Sequence, residues 1–441
     1  MRSLRIGAGA GYSGDRIDPA VELAEKGNLS YLVFECLAER TIAVAQEARL
    51  LQAAPGYDPL LEERMEAVLP ACVRQRTRII SNMGGADPRA AAVKTRDIAR
   101  RLGLRGVRIA AVTGDDVLEL VRGGGAEEFP PDGPVPQSPI SANAYLGAEP
   151  MIEALAAGAD VVLTGRVADP SMFLAAIAYE FGWGMDDWNR LGQGTVIGHL
   201  LECAGQITGG YFADPGYKTV PNLAQLGFPL AEVAENGEAI ITKVEGTGGR
   251  ITRATCTEQL LYEIQNPAEY LTPDVTADFS RVSFTDMGPD RIHVSGGRGR
   301  PRPSTLKVSV GFRDGCVGEG QISYAGPGAL SRAELARDIL AARLGAGRLR
   351  ELRFDFIGID SILARRRPGP ESEPYEVRLR AVARADSLKA ASLVPREVEA
   401  LYTNGPSGGG GAAGSARETI GIVSALVARA SVPHRIDYEV A

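Results

Sequence analysis

Along the first half of the chain, short uninterrupted apolar runs alternate with longer segments whose apolar residues recur at helical spacing. Residues 4–8, 31–35, 77–81, 106–112 and 160–164 predict five buried strands. Helices are predicted over 18–27, 38–51, 88–102, 149–158 and 170–181. Asp87-Pro88 and Asp169-Pro170 each place a capping residue ahead of a proline, a local signature of a helix start. Strand, polar or glycine-rich loop and helix, repeated in this way, predict a parallel α/β domain. Its expected form is a three-layer, Rossmann-like sheet, with a (β/α) barrel as the alternative.

The pattern changes character around residues 199–211. On a 3.6-residue period His199, Glu202, Cys203 and Gln206 fall within roughly 100° of one another, with Val196, Ile197, Leu200 and Leu201 opposite. The helix is expected to end near Gly205, and Thr208-Gly209-Gly210 to form a turn. A boundary is expected here, between a parallel α/β domain over 1–204 and a mixed α+β domain over 205–441. The polar face reads either as the solvated side of an amphipathic helix or as a ligand site at the junction. His and Cys stand where a solvated helix usually shows Lys, Arg and Glu, which keeps the second reading open.

In the second half, residues 239–245 and 250–255 predict a hairpin joined by Gly-Thr-Gly-Gly, followed by a short helix over 257–264. Further strands are expected at 281–284, 291–294, 306–312, 351–359 and 375–382, with a turn at Asp314-Gly315. A helix over 331–344 is expected to be capped by Ser331 with Glu334. The basic segment 298–303 reads as an exposed loop or as a flap over an acidic ligand. Asn404 and the run Gly408, Gly409, Gly410, Gly411 precede a helix predicted over 415–430. Free backbone N–H groups and the positive end of a helix dipole would suit a phosphate, a carboxylate or the pyrophosphate of coenzyme A. The alternative is a flexible linker. The Lys-Ser/Thr pair of a Walker A loop is absent.

Ligands of parallel α/β domains bind at the carboxyl ends of the strands. That edge would gather Ser13, Asp15, Arg16, Glu35, Glu39, Asn82, Asp87, Asp115, Arg166 and Asp169. Asp87 and Asp169 also read as helix caps, and Glu39 as a first-turn helix residue. Arg166 follows a buried strand directly and needs an anionic partner. Gly9-x-Gly11-x-x-Gly14 fits dinucleotide-loop spacing, and Glu35 lies about 20 residues on, where a ribose-binding acid would stand. A lone match of this kind has low specificity.

Composition narrows the choice. The 441 residues are too many for one ordinary core. A net charge of −7 argues against a general nucleic-acid or anionic-membrane binder. Five scattered cysteines without a C-x-x-C pair, and three widely separated histidines, suggest neither a disulfide framework nor a metal site. No signal-peptide core or long apolar run is present, and a cytoplasmic location is expected. Homo-oligomerisation is expected of a chain of this size.

Several stretches taken together resemble the acyclic terpene utilisation (AtuA-type) family. In the first half they are Gly11-Tyr-Ser-Gly-Asp-Arg16, Tyr31-Leu-Val-Phe-Glu-Cys-Leu-Ala-Glu39, Leu163-Thr-Gly-Arg-Val-Ala-Asp-Pro170 and Glu202-Cys-Ala-Gly-Gln-Ile-Thr-Gly-Gly210. The others are Thr257-Glu-Gln-Leu-Leu-Tyr-Glu263, Tyr270-Leu-Thr-Pro-Asp274 and Thr403-Asn-Gly-Pro-Ser-Gly-Gly-Gly-Gly411. The resemblance covers nearly the whole chain. It implies a role near the bacterial degradation of branched acyl-CoA compounds, without defining a reaction. Many members carry a C-terminal ferredoxin-like domain, which is expected to be missing here.

Three functions compete. The first is an enzyme, a lyase or hydratase, acting on an acyl-CoA or hydroxy-acid substrate. Glu202 would be the general acid/base, Cys203 and Gln206 would position the substrate, and Arg166 would hold a carboxylate. A Cys203 nucleophile paired with His199 is a variant. Substrate contacts are expected from Asp15, Arg16, Glu35, Asp169, Thr208, Asn404, Gly408, Gly409 and Gly410. No cofactor or metal is required, and a coenzyme A thioester would be the substrate. The second is a non-catalytic acyl-CoA-binding or scaffold protein. The third is a nicotinamide oxidoreductase, resting on the Gly9–Gly14 spacing alone.

Overall fold

The computed structural model describes residues 2–129, 132–345, 347, 349–364 and 374–441. The chain divides into a first unit, Met1–Gly311 with Ile422–Ala441, and a second, Phe312–Gly421. The division falls inside two long strands, and residue 204 lies well within the first unit.

The first unit opens with β1 (Ser3–Ala10), α1 (Asp18–Lys26), β2 (Tyr31–Phe34), α2 (Glu39–Leu50), α3 (Leu61–Gln75), β3 (Arg78–Ser81), α4 (Pro88–Arg101) and β4 (Arg108–Thr113). It continues through α5 (Leu118–Arg122), β5 (Ala126–Glu128), β6 (Pro139–Ala144), α6 (Glu149–Ala156), β7 (Val161–Thr164), α7 (Asp169–Phe181) and α8 (Trp188–Glu202). Next come β8 (Pro229–Ala234), β9 (Ala239–Lys243), α9 (Arg253–Leu261), β10 (Tyr270–Leu271), β11 (Thr276–Asp278), β12 (Ser283–Asp286), β13 (Ile292–Ser295), β14 (Arg298–Arg300) and the start of β15 (Thr305–Ala325).

Strands β1, β2, β3, β7 and β4 lie side by side and parallel. Their register aligns Ala8, Val33, Ile80, Val162 and Ala110 across the sheet. These central strands are buried on both faces, which is why they read as continuous apolar runs. Asp87 caps α4 as expected, its carboxylate accepting from the Ala90 N–H at 3.0 Å.

The sheet is mixed rather than parallel throughout. Beyond β1 it continues antiparallel through β8, β9, β13 and β12, and β19 (Arg435–Val440) pairs antiparallel with β4 at the opposite edge. It runs from one edge strand to the other, so the barrel alternative does not describe it. The expected hairpin over 239–255 is also corrected. Strand β9 pairs with β8, and Thr252 instead caps α9, its hydroxyl accepting from the Thr255 N–H.

The second unit holds the remainder of β15, α10 (Ala329–Leu344), β16 (Glu351–Ile357), β17 (Glu376–Ala385), α11 (Leu388–Ala391), α12 (Leu393–Asn404) and most of β18 (Gly410–Ala428). Its strands run in the order β16–β17–β15–β18, and α10 and α12 supply Ala336, Leu340, Val398 and Leu401 to its core. Asp314-Gly315 is not a turn. Gly315, at φ 71°, lies within the continuous β15. Helix α10 begins after Gly328, so Ser331 sits inside its first turn rather than at its cap. The helix expected over 415–430 is the strand β18. Its Thr419, Ile420, Ile422, Val423 and Val427 are β-branched, which suits a strand.

Helix α8 fixes the first unit's centre. From Leu191 to Glu202 every residue is buried, polar ones included, so the solvated-face reading is overturned. Small residues let other backbones reach it. Gly192 faces the Arg298 carbonyl of β14, and a Cβ there would overlap that oxygen. The basic segment 298–303 thus packs on α8 at its start. Gly192→Ala should cost about 1–3 kcal/mol, read as a lower urea midpoint with an unchanged slope.

Candidate active site

The carboxyl ends of the parallel strands carry the polar residues that the topology was expected to gather. Glu35 follows β2, Asn82 follows β3, Arg166 follows β7 and Asp115 follows β4. All four are buried. Glu35 is held tightly by one oxygen. Its Oε1 accepts from the Leu37 N–H at 2.8 Å and from Asn82 Nδ2 at 3.1 Å. Asn82 is itself oriented by the Cys36 N–H, which donates to its Oδ1 at 2.7 Å. Burial, reinforced by the charge of Asp169 and opposed by Arg166, pushes the Glu35 carboxyl up to about 8.

Arg166 is 2% exposed. Its Nη2 lies 3.3 Å from Asp169 Oδ1, and its guanidinium stacks 4.2 Å from the Tyr145 ring centre. Among the described residues its Nε and Nη1 have no hydrogen-bond partner. Asp169 makes no side-chain cap on α7, so here the charged partner replaces the capping reading. Tyr145 donates its hydroxyl proton to Glu39, and Lys307 Nζ stands 3.5 Å from the same carboxylate. Burial opposes ionisation of Glu39, but Arg166, the tyrosine hydrogen bond and Lys307 outweigh it and hold the carboxyl at about 2. Asp115 accepts from the Arg166 N–H and from Asn143 Nδ2, both at 2.9 Å, and burial raises it to about 6.

At the end of α8, His199 Nδ1 and Glu202 Oε1 are 2.7 Å apart. His199 Nε2 faces the Leu260 carbonyl at 3.2 Å. That carbonyl can only accept, so Nε2 carries a proton. The Nδ1–Oε1 contact then holds one more proton, shared as imidazolium–carboxylate or imidazole–carboxylic acid. Tyr270 and Phe279 pack around the imidazole, with ring centres 5.8 and 5.5 Å away. Burial raises Glu202, His199 pulls it back, and it rests at about 7. Burial alone would lower His199, but the Glu202 charge and hydrogen bond outweigh it and raise the imidazole. Glu202 Oε2 is buried and unpartnered among the described residues.

Glu202, rather than Cys203, is the partner of His199. Burial and the Glu202 charge push the Cys203 thiol well up, which disfavours the nucleophilic variant. Cys203 and Gln206 line a cleft of about 550 Å³ with Gly11, Tyr12, Asp15 and Arg16. Ala204, at φ 41°, turns the chain sharply at this cleft. Thr208 is buried in the following turn, its hydroxyl donating to the Gly205 carbonyl at 3.0 Å. Asn404, Gly408, Gly409 and Gly410 belong to the second unit. The run leads into β18 and not into a helix N-terminus, which removes the dipole on which their anion-site reading rested.

The glycine spacing after β1 has a packing explanation. A Cβ on Gly11 would stand 2.6 Å from the Cys203 backbone, and one on Gly9 would meet the Phe34 ring at 2.5 Å. The Gly11 N–H is taken by Asp15 Oδ2 at 2.9 Å. An N–H group that a dinucleotide loop would offer to pyrophosphate is thus already bonded to a carboxylate. The same loop hangs on Arg64, which the sequence reading passed over. Arg64 Nη2 donates to the carbonyls of Tyr12, Ser13 and Asp15, and Nη1 pairs with Asp58 at 3.2 Å. A signal existed: Leu61, Met65, Val68 and Cys72 form the buried stripe of α3, and Arg64 lies on it.

Among the described residues no group of three or more His, Cys, Asp or Glu is arranged to hold a metal ion. None of their helices is long and apolar enough to cross a membrane. The family described as acyclic terpene utilisation family protein AtuA matches residues 4–438. The chain therefore belongs to that family. No curated protein and no solved structure matches it.

Two outcomes test this construction. Arg64→Ala leaves Asp58 buried without its cationic partner and should cost about 3–5 kcal/mol in urea unfolding. Glu35, at about 8 in the fold against 4.5 ordinarily, retains a proton that the unfolded chain releases. Wild-type stability should therefore fall as pH rises from about 4.5 to 8. Glu35→Gln should flatten that fall by on the order of 5 kcal/mol, read from melting curves across the window.

Proposed function

We propose that this member of the AtuA family is an acid–base enzyme, of lyase or hydratase type, acting on an acyl-CoA or hydroxy-acid substrate. The observation that carries the reading is the buried His199–Glu202 pair, which holds one shared proton and leaves Glu202 Oε2 free. A carboxyl that titrates near neutrality can both take and return a proton during turnover, and burial supplies that tuning here. Glu202 takes the proton next to the substrate carbonyl. Arg166, with two unpaired N–H groups, receives the carboxylate or the oxygen on which charge develops. Cys203 stays a thiol and, with Gln206, shapes the cleft beside the pair.

Glu202→Gln preserves shape and removes the titrating oxygen. It should lower turnover of a responsive acyl-CoA or hydroxy acid by about 100- to 10,000-fold while melting as a folded protein. A rate equal to wild type in that variant would refute the assignment. Binding of acyl-CoA by the wild type without any conversion would favour the non-catalytic alternative instead.

A further inference from the structure

The acid–base reading assigns one carboxyl, but a second is built in the same manner. Glu35 and Glu202 are both 8% exposed. Each has one oxygen committed to protein. Glu202 Oε1 faces His199, and Glu35 Oε1 takes both the Leu37 N–H and the Asn82 amide. An oxygen that accepts two N–H bonds is the carbonyl-like one, so a proton on Glu35 sits on Oε2, which takes neither bond. Gly11, just past the end of β1, packs on the Cys203 backbone, so the end of α8 that carries Glu202 meets the adjacent strand ends that carry Glu35 and Arg166. The Asp169 charge acts on Glu35 and on Glu202, and the Cys203 thiol is affected by both. Arg166 Nε and Nη1 and Glu202 Oε2 are buried and unpartnered among the described residues, two donors and an acceptor that the polar atoms of a ligand would satisfy.

We infer that Glu35 is a second proton-transfer group of this site, the general acid that protonates a departing oxygen while Glu202 takes the proton from carbon. This rests on the acid–base reading above and names its substrate class, a 3-hydroxyacyl thioester or the corresponding 2-enoyl thioester. In the dehydration direction Glu202 Oε2 takes the proton on C2. The electrons of that C–H bond form the C2–C3 double bond, and the C3–O bond breaks. The departing oxygen takes the Glu35 proton and leaves as water. Glu35 ends as carboxylate and Glu202 as acid, and solvent restores both. Hydration is the reverse. A carboxyl that keeps its proton at neutral pH suits the acid, and one steadied by His199 when ionised suits the base.

The test uses the full chain and branched 3-hydroxyacyl-CoA thioesters in D2O, reading deuterium uptake at C2 and loss of water separately. Glu202→Gln should lose both. Glu35→Gln should keep C2 exchange and lose dehydration by about 100-fold or more. The amide side chain of that variant retains an oxygen to accept from Leu37 and Asn82, so it should melt as a folded protein. Wild-type dehydration in Glu35→Gln, or an equal loss of both readouts, overturns the inference and leaves the Glu202 assignment standing. A wild-type chain that neither exchanges nor dehydrates overturns both. Should Glu35→Gln fail to fold, the wild-type pH profile decides. The groups facing Glu35 are Asn82, Arg166, Asp169, Cys36 and Cys203. Dehydration should fall on the alkaline side near 8 while C2 exchange does not, and coincident profiles overturn the inference.

Discussion

Removing charge from water is the constraint on which this site depends. The strand ends bring Glu35, Asp115 and Arg166 together where water is largely excluded, with Asp169, Glu39 and Lys307 at the margin. An isolated buried ion is costly, so each group is either paired or kept neutral by its proton. Both solutions operate here. Glu39 keeps its charge because Arg166, Tyr145 and Lys307 surround it. Glu35 and Glu202 are pushed toward the protonated form by burial first, and the charge of Asp169 adds to it at both. Burial that the neighbouring cations only partly offset leaves protons near neutrality, and mobile protons are what an acid–base catalyst uses.

The scaffold keeps that balance from relaxing. Helix α8 is buried along its last three turns, so His199 and Glu202 cannot swing into solvent to ionise independently. Tyr270, Phe279 and the Leu260 carbonyl close around the imidazole, and Gln259 Nε2 donates to the His199 carbonyl at 3.0 Å. On the other wall, Arg64 holds the 12–15 backbone through three of its carbonyl oxygens. Its role is positional: it anchors a loop that lines the cleft without lining the cleft itself. A polar network satisfied in this way is rigid, because losing one member exposes the others to the cost of burial without a partner.

What could be read from the sequence follows from how local each signal is. The parallel strands were legible because burial on both faces writes itself as an unbroken apolar run, and Asp87-Pro88 writes its helix start in adjacent residues. The gathering of Glu35, Asn82, Asp115 and Arg166 followed from topology alone. The environment of His199 and Glu202 was not legible. The groups that bury them, Leu260, Tyr270 and Phe279, arrive some 60 to 80 residues later in the chain. For the same reason Asp314-Gly315 reads as a turn although distant pairing carries β15 straight through it. The glycine run before β18 misled in the opposite way, since its permissive backbone is compatible with a helix start or a strand start.

Asp169 shows why residue type alone could not assign roles. Its place before Pro170 is the place of a helix cap, and Asp87 before Pro88 does that work through the Ala90 N–H. At Asp169 no cap bond forms, and the carboxylate turns to Arg166, three residues back on the loop after β7. The difference lies in where each helix begins: α4 starts at Pro88 with Asp87 at its cap, whereas α7 starts at Asp169 itself with Ala168 at its cap, which leaves the Asp169 carboxylate to the buried guanidinium that β7 delivers at 3.3 Å. Once drawn there, Asp169 does more than neutralise Arg166. It adds a negative charge beside both Glu35 and Glu202, so the residue that pairs the cation also raises the two acids. A helix start was thus turned into part of the proton-holding site by one arginine two residues beyond a strand.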